Sequence, residues 1–108
     1  MTFQEYQDFT AKSAFYLEHK GREYTAIALA GETGEYCDKI KKNMRDGTPN
    51  SMPFSLEDMA KELGDILWYV TRAAYENGYT LEQVAQLNVT KLTSRIERKA
   101  LSGSGDNR

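Results

Sequence analysis

Between Ser55 and Ala74 the apolar residues Leu56, Met59, Leu63, Ile66, Leu67, Val70 and Ala74 recur every three or four positions. That period stacks side chains along one face of an α-helix and does not fit a strand. Ser55 can cap this helix and Asn77-Gly78 ends it. Three other segments follow the same rule. Thr2 with Glu5 forms a capping box, and Phe3, Tyr6, Phe9, Ala14 and Leu17 predict a first helix that runs until Gly21 interrupts. From about Tyr24 to Arg45 a second helix carries Leu29, Thr33, Tyr36, Ile40 and Met44, and the segment DGTPNSMP, with Pro49 and Pro53, stops it. Thr80 with Gln83 forms another capping box, and Leu81, Val84, Ala85, Leu92 and Ile96 mark a fourth helix to about Ala100.

No useful strand alternation and no internal repeat interrupts this pattern, so the expected fold is all-α and four-helix bundle-like. Residues 1–101 read as a single helical domain and 102–108 as an irregular Gly/Ser-rich tail. Helices of ~20 residues are ~30 Å long, and apolar stripes on such rods exceed what one small bundle covers. A homo-oligomer is therefore expected.

Net charge and residue inventory remove several function classes. The formal charge of -2, with no run of Lys and Arg, gives nothing to track a nucleic-acid backbone. No apolar stretch approaches the ~20 residues that span a bilayer, and the start MTFQEYQDF lacks the regions of a signal peptide. A cytoplasmic protein is expected. Cys37 and His19 are each the sole residue of their type, so no Cys/His zinc site can assemble and any metal must be held by oxygen.

Oxygen ligands are present in a suggestive spacing. Glu32 and Glu35 lie three apart on the second helix, and Glu62 and Asp65 lie three apart on the third, so each pair shares a helix face. An antiparallel hairpin matches residues at equal distance from its turn. With helix ends near Arg45 and Ser55, Glu35 and Asp65 each stand ~15 Å up their helices, with Glu32 at ~20 Å and Glu62 at ~11 Å. Glycines beside each pair remove bulk. Each pair of such charges repels by ~3 kcal/mol at ~5 Å in an effective dielectric near 20, which calls for a cation. Oxygen donors with room for water suit Mg²⁺. A ferritin-like di-iron site would need Glu-x-x-His, which neither Glu32 nor Glu62 begins.

The segments IALAGETGEYCDKIKK, KELGDILWYV and LEQVAQLNVTKL together resemble the MazG-like nucleotide pyrophosphohydrolases, compact all-α relatives of dimeric dUTPases. The resemblance rests on Glu-x-x-Glu, a spacer and Glu-x-x-Asp, spans roughly residues 24–96, and extends to the GSGDNR ending of short, partly phage-encoded members. It implies that Glu32, Glu35, Glu62 and Asp65 coordinate Mg²⁺, with Mn²⁺ as a substitute. It further implies cleavage of nucleoside triphosphates, deoxynucleotides above all, between the α and β phosphates to monophosphate and pyrophosphate, in a homodimer or homotetramer. Where some relatives place an extra carboxylate before the first motif glutamate, this chain has Gly31. The proton acceptor then falls to Glu32, Glu35 or a hydroxide on the metal.

Around that core, Lys39 follows Glu35 by four and can reach a phosphate oxygen or pair with Glu35. Asn88, Lys91 and Arg95 share a face of the fourth helix and are candidate substrate contacts. Trp68 and Tyr69 can stack on a base, and Phe9, Phe15 and Tyr16 can line its pocket, although core packing is the commoner role of such aromatics. The glycine-rich tail with Arg108 is expected to close over the triphosphate, of its own or a neighbouring subunit. A reading of another class is a non-catalytic helical adaptor with an acidic metal-binding face.

Overall fold

Thr2, Ser55 and Thr80 each accept from the backbone N–H three residues on, while Glu5, Asp58 and Gln83 reach back to the cap residues' own N–H groups. These reciprocal boxes satisfy donors that a helix start leaves orphaned. They fix the starts of three helices where the sequence placed them. The computed structural model describes residues 1–48 and 54–108. In it α1 spans Phe3–Lys12, α2 Gly21–Asp46, α3 Leu56–Glu76 and α4 Leu81–Glu97, with a 3-10 turn at Glu18–Lys20 before α2. No strand occurs among the described residues. The stop assigned to Pro49 and Pro53 lies outside them.

Two boundaries differ from expectation. α1 ends at Lys12, because Ser13 turns back and both its N–H and its hydroxyl donate to the Thr10 carbonyl. Gly21 does not stop a helix; it begins α2 in ordinary helical geometry. Its role is spatial: a Cβ there would lie 2.2 Å from the Glu76 carboxylate. Lys20, before α2, provides no side-chain cap. The Glu76 carboxylate at the end of α3 stands at the α2 N-terminus instead, where the helix dipole favours an anion. Arg22 Nε donates to the Glu76 carbonyl at 3.2 Å in return.

α2 and α3 pair along their length, α1 packs on α3 and α4, and α4 makes no contact with α2 among the described residues. The radius of gyration of 17.0 Å exceeds the ~13 Å of a compact chain of this size. Burial tells the same story. Among the described residues Ala74 and Leu81 are the buried apolar side chains, whereas Ile27 (74% exposed), Leu56 (75%) and Ile96 (61%) face outward. The α3 stripe that announced the fold is thus only partly covered within one chain, and Phe9 and Phe15 are exposed rather than core. Thr10, Thr25 and Thr71 are fully buried instead, each hydroxyl donating to a carbonyl of its own helix at 2.7 Å. No described helix is long and apolar enough to cross a membrane.

α3 ends on Gly78 at φ +82°, with the Tyr79 N–H returning to the Ala74 carbonyl at 2.9 Å. A Cβ in that left-handed geometry costs ~1–2 kcal/mol, less for asparagine. Gly78→Ala should lower the thermal midpoint by several degrees and Gly78→Asn by much less, as read by circular dichroism.

Candidate metal centre and substrate pocket

Helical spacing and the α2–α3 pairing bring the acidic pincers together. Carboxylate oxygens of Glu32, Glu35 and Glu62 all lie within 4.8 Å of one another. Asp65 joins Glu32 and Glu35 in lining an open cavity of about 440 Å³, together with Ser13, Trp68 and Tyr69. α2 ends and α3 begins within a residue of the positions assumed, and Asp65 shares the cavity wall while standing outside the closest group of Glu32, Glu35 and Glu62. The glycines do not contribute as expected: a Cβ at Gly31, Gly34 or Gly64 would meet nothing within 4 Å.

Glu62 is the most enclosed of the set, 9% exposed. One of its oxygens pairs with the Lys39 ammonium. The other, Oε2, is buried with no hydrogen-bond partner. A buried carboxylate oxygen without a donor is costly, and an oxygen-ligated cation satisfies it. The donor set therefore fits a hard divalent ion such as Mg²⁺. Lys39 pairs with Glu62 across the helix interface rather than with Glu35 on its own helix, and lies 5.4 Å from the centre of the Phe54 ring. Glu62 holds the Lys39 pKa above its ordinary value.

Burial first, then the charges of Glu35, Asp65 and Glu62, push the Glu32 carboxyl above its usual pKa. The Tyr69 pKa is pushed upward by burial first, then by Tyr24, and after it by Glu32 and Asp65, while burial and then Asp65 raise that of Tyr6. The pocket carries concentrated negative potential from residues 33 positions apart in sequence. Trp68 donates its indole N–H to the Ser13 hydroxyl at 3.0 Å and meets Tyr69 edge-on at 4.8 Å between ring centres. Ser13 was missed by sequence reasoning, because nothing local marks a serine past a helix end as a pocket wall.

The candidates on α4 lie elsewhere. Asn88 is exposed. Lys91 pairs with Asp106 at 3.2 Å, and Arg95, 5% exposed, donates to the Gly105 and Asp106 carbonyls at 3.2 and 2.9 Å. Arg108 donates to the Gly105 and Leu101 carbonyls at 2.7 and 3.0 Å. The tail is thus folded onto the end of its own α4. Within one chain, Asn88, Lys91, Arg95 and Arg108 are not among the residues lining the acidic pocket.

An all-helical chain with paired carboxylates facing each other across an antiparallel hairpin is a candidate divalent-cation enzyme. The chain belongs to the MazG family: the MazG nucleotide pyrophosphohydrolase domain matches residues 20–99. It is also similar to the Gene 37 protein of Mycobacterium phage L5, with 40% identity over 89 residues that cover 82% of this chain and 78% of that protein. No solved structure matches. Proteins of this family act on nucleoside triphosphates and generally use a divalent metal.

The Glu32 shift has a measurable sign. A carboxyl whose folded pKa lies above the unfolded ~4.3 adds stability at low pH and loses it as pH rises through the folded value. In metal-free buffer Glu32→Gln should melt above the wild type at pH 7 and level with it below pH 4, with Mg²⁺ narrowing the gap at pH 7. Equal midpoints at pH 7 would show that the crowding costs nothing.

Proposed function

We propose that the chain is a Mg²⁺-dependent nucleoside triphosphate pyrophosphohydrolase that cleaves deoxynucleoside triphosphates between the α and β phosphates, giving monophosphate and pyrophosphate. The observation that carries this reading is the convergence of Glu32, Glu35 and Glu62 beside the unpartnered Glu62 Oε2. Bound at this site, Mg²⁺ or Mn²⁺ supplies electrophilic polarisation of the phosphoryl oxygens and charge neutralisation. Glu32, Glu35, Glu62 and Asp65 hold the cation. Glu32 or Glu35, both on the cavity wall, orients the attacking water and takes its proton as the bridging P–O bond breaks and pyrophosphate leaves. Trp68 and Tyr69 flank the nucleoside and exclude solvent.

Glu35→Gln keeps the shape and removes one charge. It should cut pyrophosphate release from a deoxynucleoside triphosphate with Mg²⁺ by about 100-fold or more, while the helical spectrum stays unchanged. Retained turnover would remove the carboxylate mechanism and favour an adaptor with an acidic face.

A triphosphate also needs cations, and Lys91, Arg95, Arg98 and Arg108 gather at the end of α4, a helix that does not touch α2 among the described residues. In our reading a homodimer or homotetramer completes the site. The exposed Leu87 and Ile96 on α4 dock against a second copy, and the tail 102–108, beyond the helical domain 1–101, approaches the neighbour's phosphates. Glu35→Gln and Arg95→Ala should each be inactive alone and regain a fraction of wild-type turnover when refolded together. Activity confined to unmixed wild type would place every functional group in one chain.

A further inference from the structure

Arg72 on α3 is 5% exposed. Its guanidinium lies 4.3 Å from the centre of the Tyr75 ring and 5.9 Å from that of Tyr16. Nε donates to the Tyr16 hydroxyl at 3.3 Å, and that hydroxyl in turn donates to the Glu76 carboxylate. The terminal amino groups of Arg72 make no hydrogen bond among the described residues and are not among the buried unpartnered atoms, so they stay open to an acceptor from outside. Arg72 lines a cavity of about 420 Å³, whose other walls are Ala11, Ala14, Tyr16, Glu18, Tyr75 and Glu76.

The cavity's position gives it a purpose. Trp68, Arg72 and Tyr75 succeed one another at four and three residues and so share one face of α3. Ser13, which takes the Trp68 indole N–H, stands on the wall of the acidic pocket, and its neighbours Ala11 and Ala14 stand on the wall of the Arg72 cavity. Asp65 and Arg72 are two turns apart, ~10.5 Å of helix rise. A nucleotide whose phosphates lie among the carboxylates spans that interval with its sugar and carries its base toward Arg72.

We infer that the Arg72 cavity is the base-recognition site, and that it selects guanine, whose hydrogen-bonding edge carries a carbonyl beside two N–H donors. This inference rests on the nucleotide reading above and deepens it. Arg72 donates to the base's carbonyl oxygen, and Glu76 accepts from the neighbouring N–H groups. The two are four residues apart, with Cβ atoms ~6 Å from each other, a spacing that lets them bracket one base edge. Tyr16 holds both in place from between. Tyr16 and Tyr75 offer aromatic faces to the ring. Thymine and uracil carry a single N–H between two carbonyls, and cytosine and adenine present an unprotonated ring nitrogen beside the amino group, so each offers the Glu76 carboxylate one donor fewer than guanine, and unpaired buried partners discriminate more strongly than added bulk.

Trp68, the sole tryptophan, reports binding without turnover. Titrating the four deoxynucleoside monophosphates with Mg²⁺ should show dGMP binding at least about tenfold more tightly than dCMP, dTMP and dAMP. Glu76→Gln, nearly isosteric, should shrink that preference to within about threefold. Arg72→Lys, which keeps the charge and loses the fork, should do likewise, with circular dichroism confirming the fold. Equal binding of all four, a preference for dCMP, dTMP or dAMP, or a preference that survives both variants would overturn the assignment. Pyrophosphate release is assayed separately. Selective monophosphate binding without pyrophosphate release would overturn the reaction and keep the base site, whereas release with no base preference would do the reverse.

Discussion

The register of the α2–α3 hairpin is the constraint on which the rest depends. Glu32 and Glu35 face Glu62 and Asp65 only if the two helices are aligned to within a fraction of the 5.4 Å pitch, since a slip of one turn would carry the pincers past each other by that distance. Polar contacts pin the alignment at both ends. At the open end, Glu76 stands over Gly21 and Arg22 reaches the Glu76 carbonyl. Near the turn, the Asn43 side chain accepts from the Phe54 N–H at 3.3 Å. Hydrophobic contact alone is too permissive to choose among neighbouring registers, whereas these short-range, directional contacts tolerate little displacement.

Much of this was legible in the sequence because the signals are local. Helical spacing, capping boxes and the Asn77-Gly78 stop each act over a turn or less, and the pairing of Glu32 and Glu35 with Glu62 and Asp65 needed only two helix ends and a constant rise. What escaped depended on distant partners. Gly21 looks like a helix breaker until Glu76, 55 residues away, is found in the space a side chain would occupy. Ser13 acquires its place from Trp68 on α3, and Lys39 prefers an acid on the facing helix to the one a turn away on its own. Nothing local marks Arg72 and Glu76, and only the cavity they line with Ala11, Ala14 and Tyr16 distinguishes them.

The burial pattern divides the molecule into a finished and an unfinished half. Where α1, α2 and α3 cross, fully buried threonines satisfy their hydroxyls on their own helices, and small side chains let the backbones approach. Along α4 and the outward side of the hairpin, Ile27, Leu56, Leu87 and Ile96 remain in water. Apolar area in water forgoes roughly 25 cal/mol per Å² of stabilisation. The basic end of α4 sits in the unfinished half, so the surface that lacks cover and the charges that a polyphosphate would need occupy the same region.

Lys39 adds a feature to the acidic centre that a bare carboxylate cage would lack. Its ammonium already neutralises part of Glu62, so the hairpin can close before any ion arrives, and folding need not wait for metal. A divalent ion held by the four carboxylates would meet this ammonium already in place, and its net affinity would be the difference between two attractions. Tethered a turn beyond Glu35, the lysine would remain beside the acidic centre.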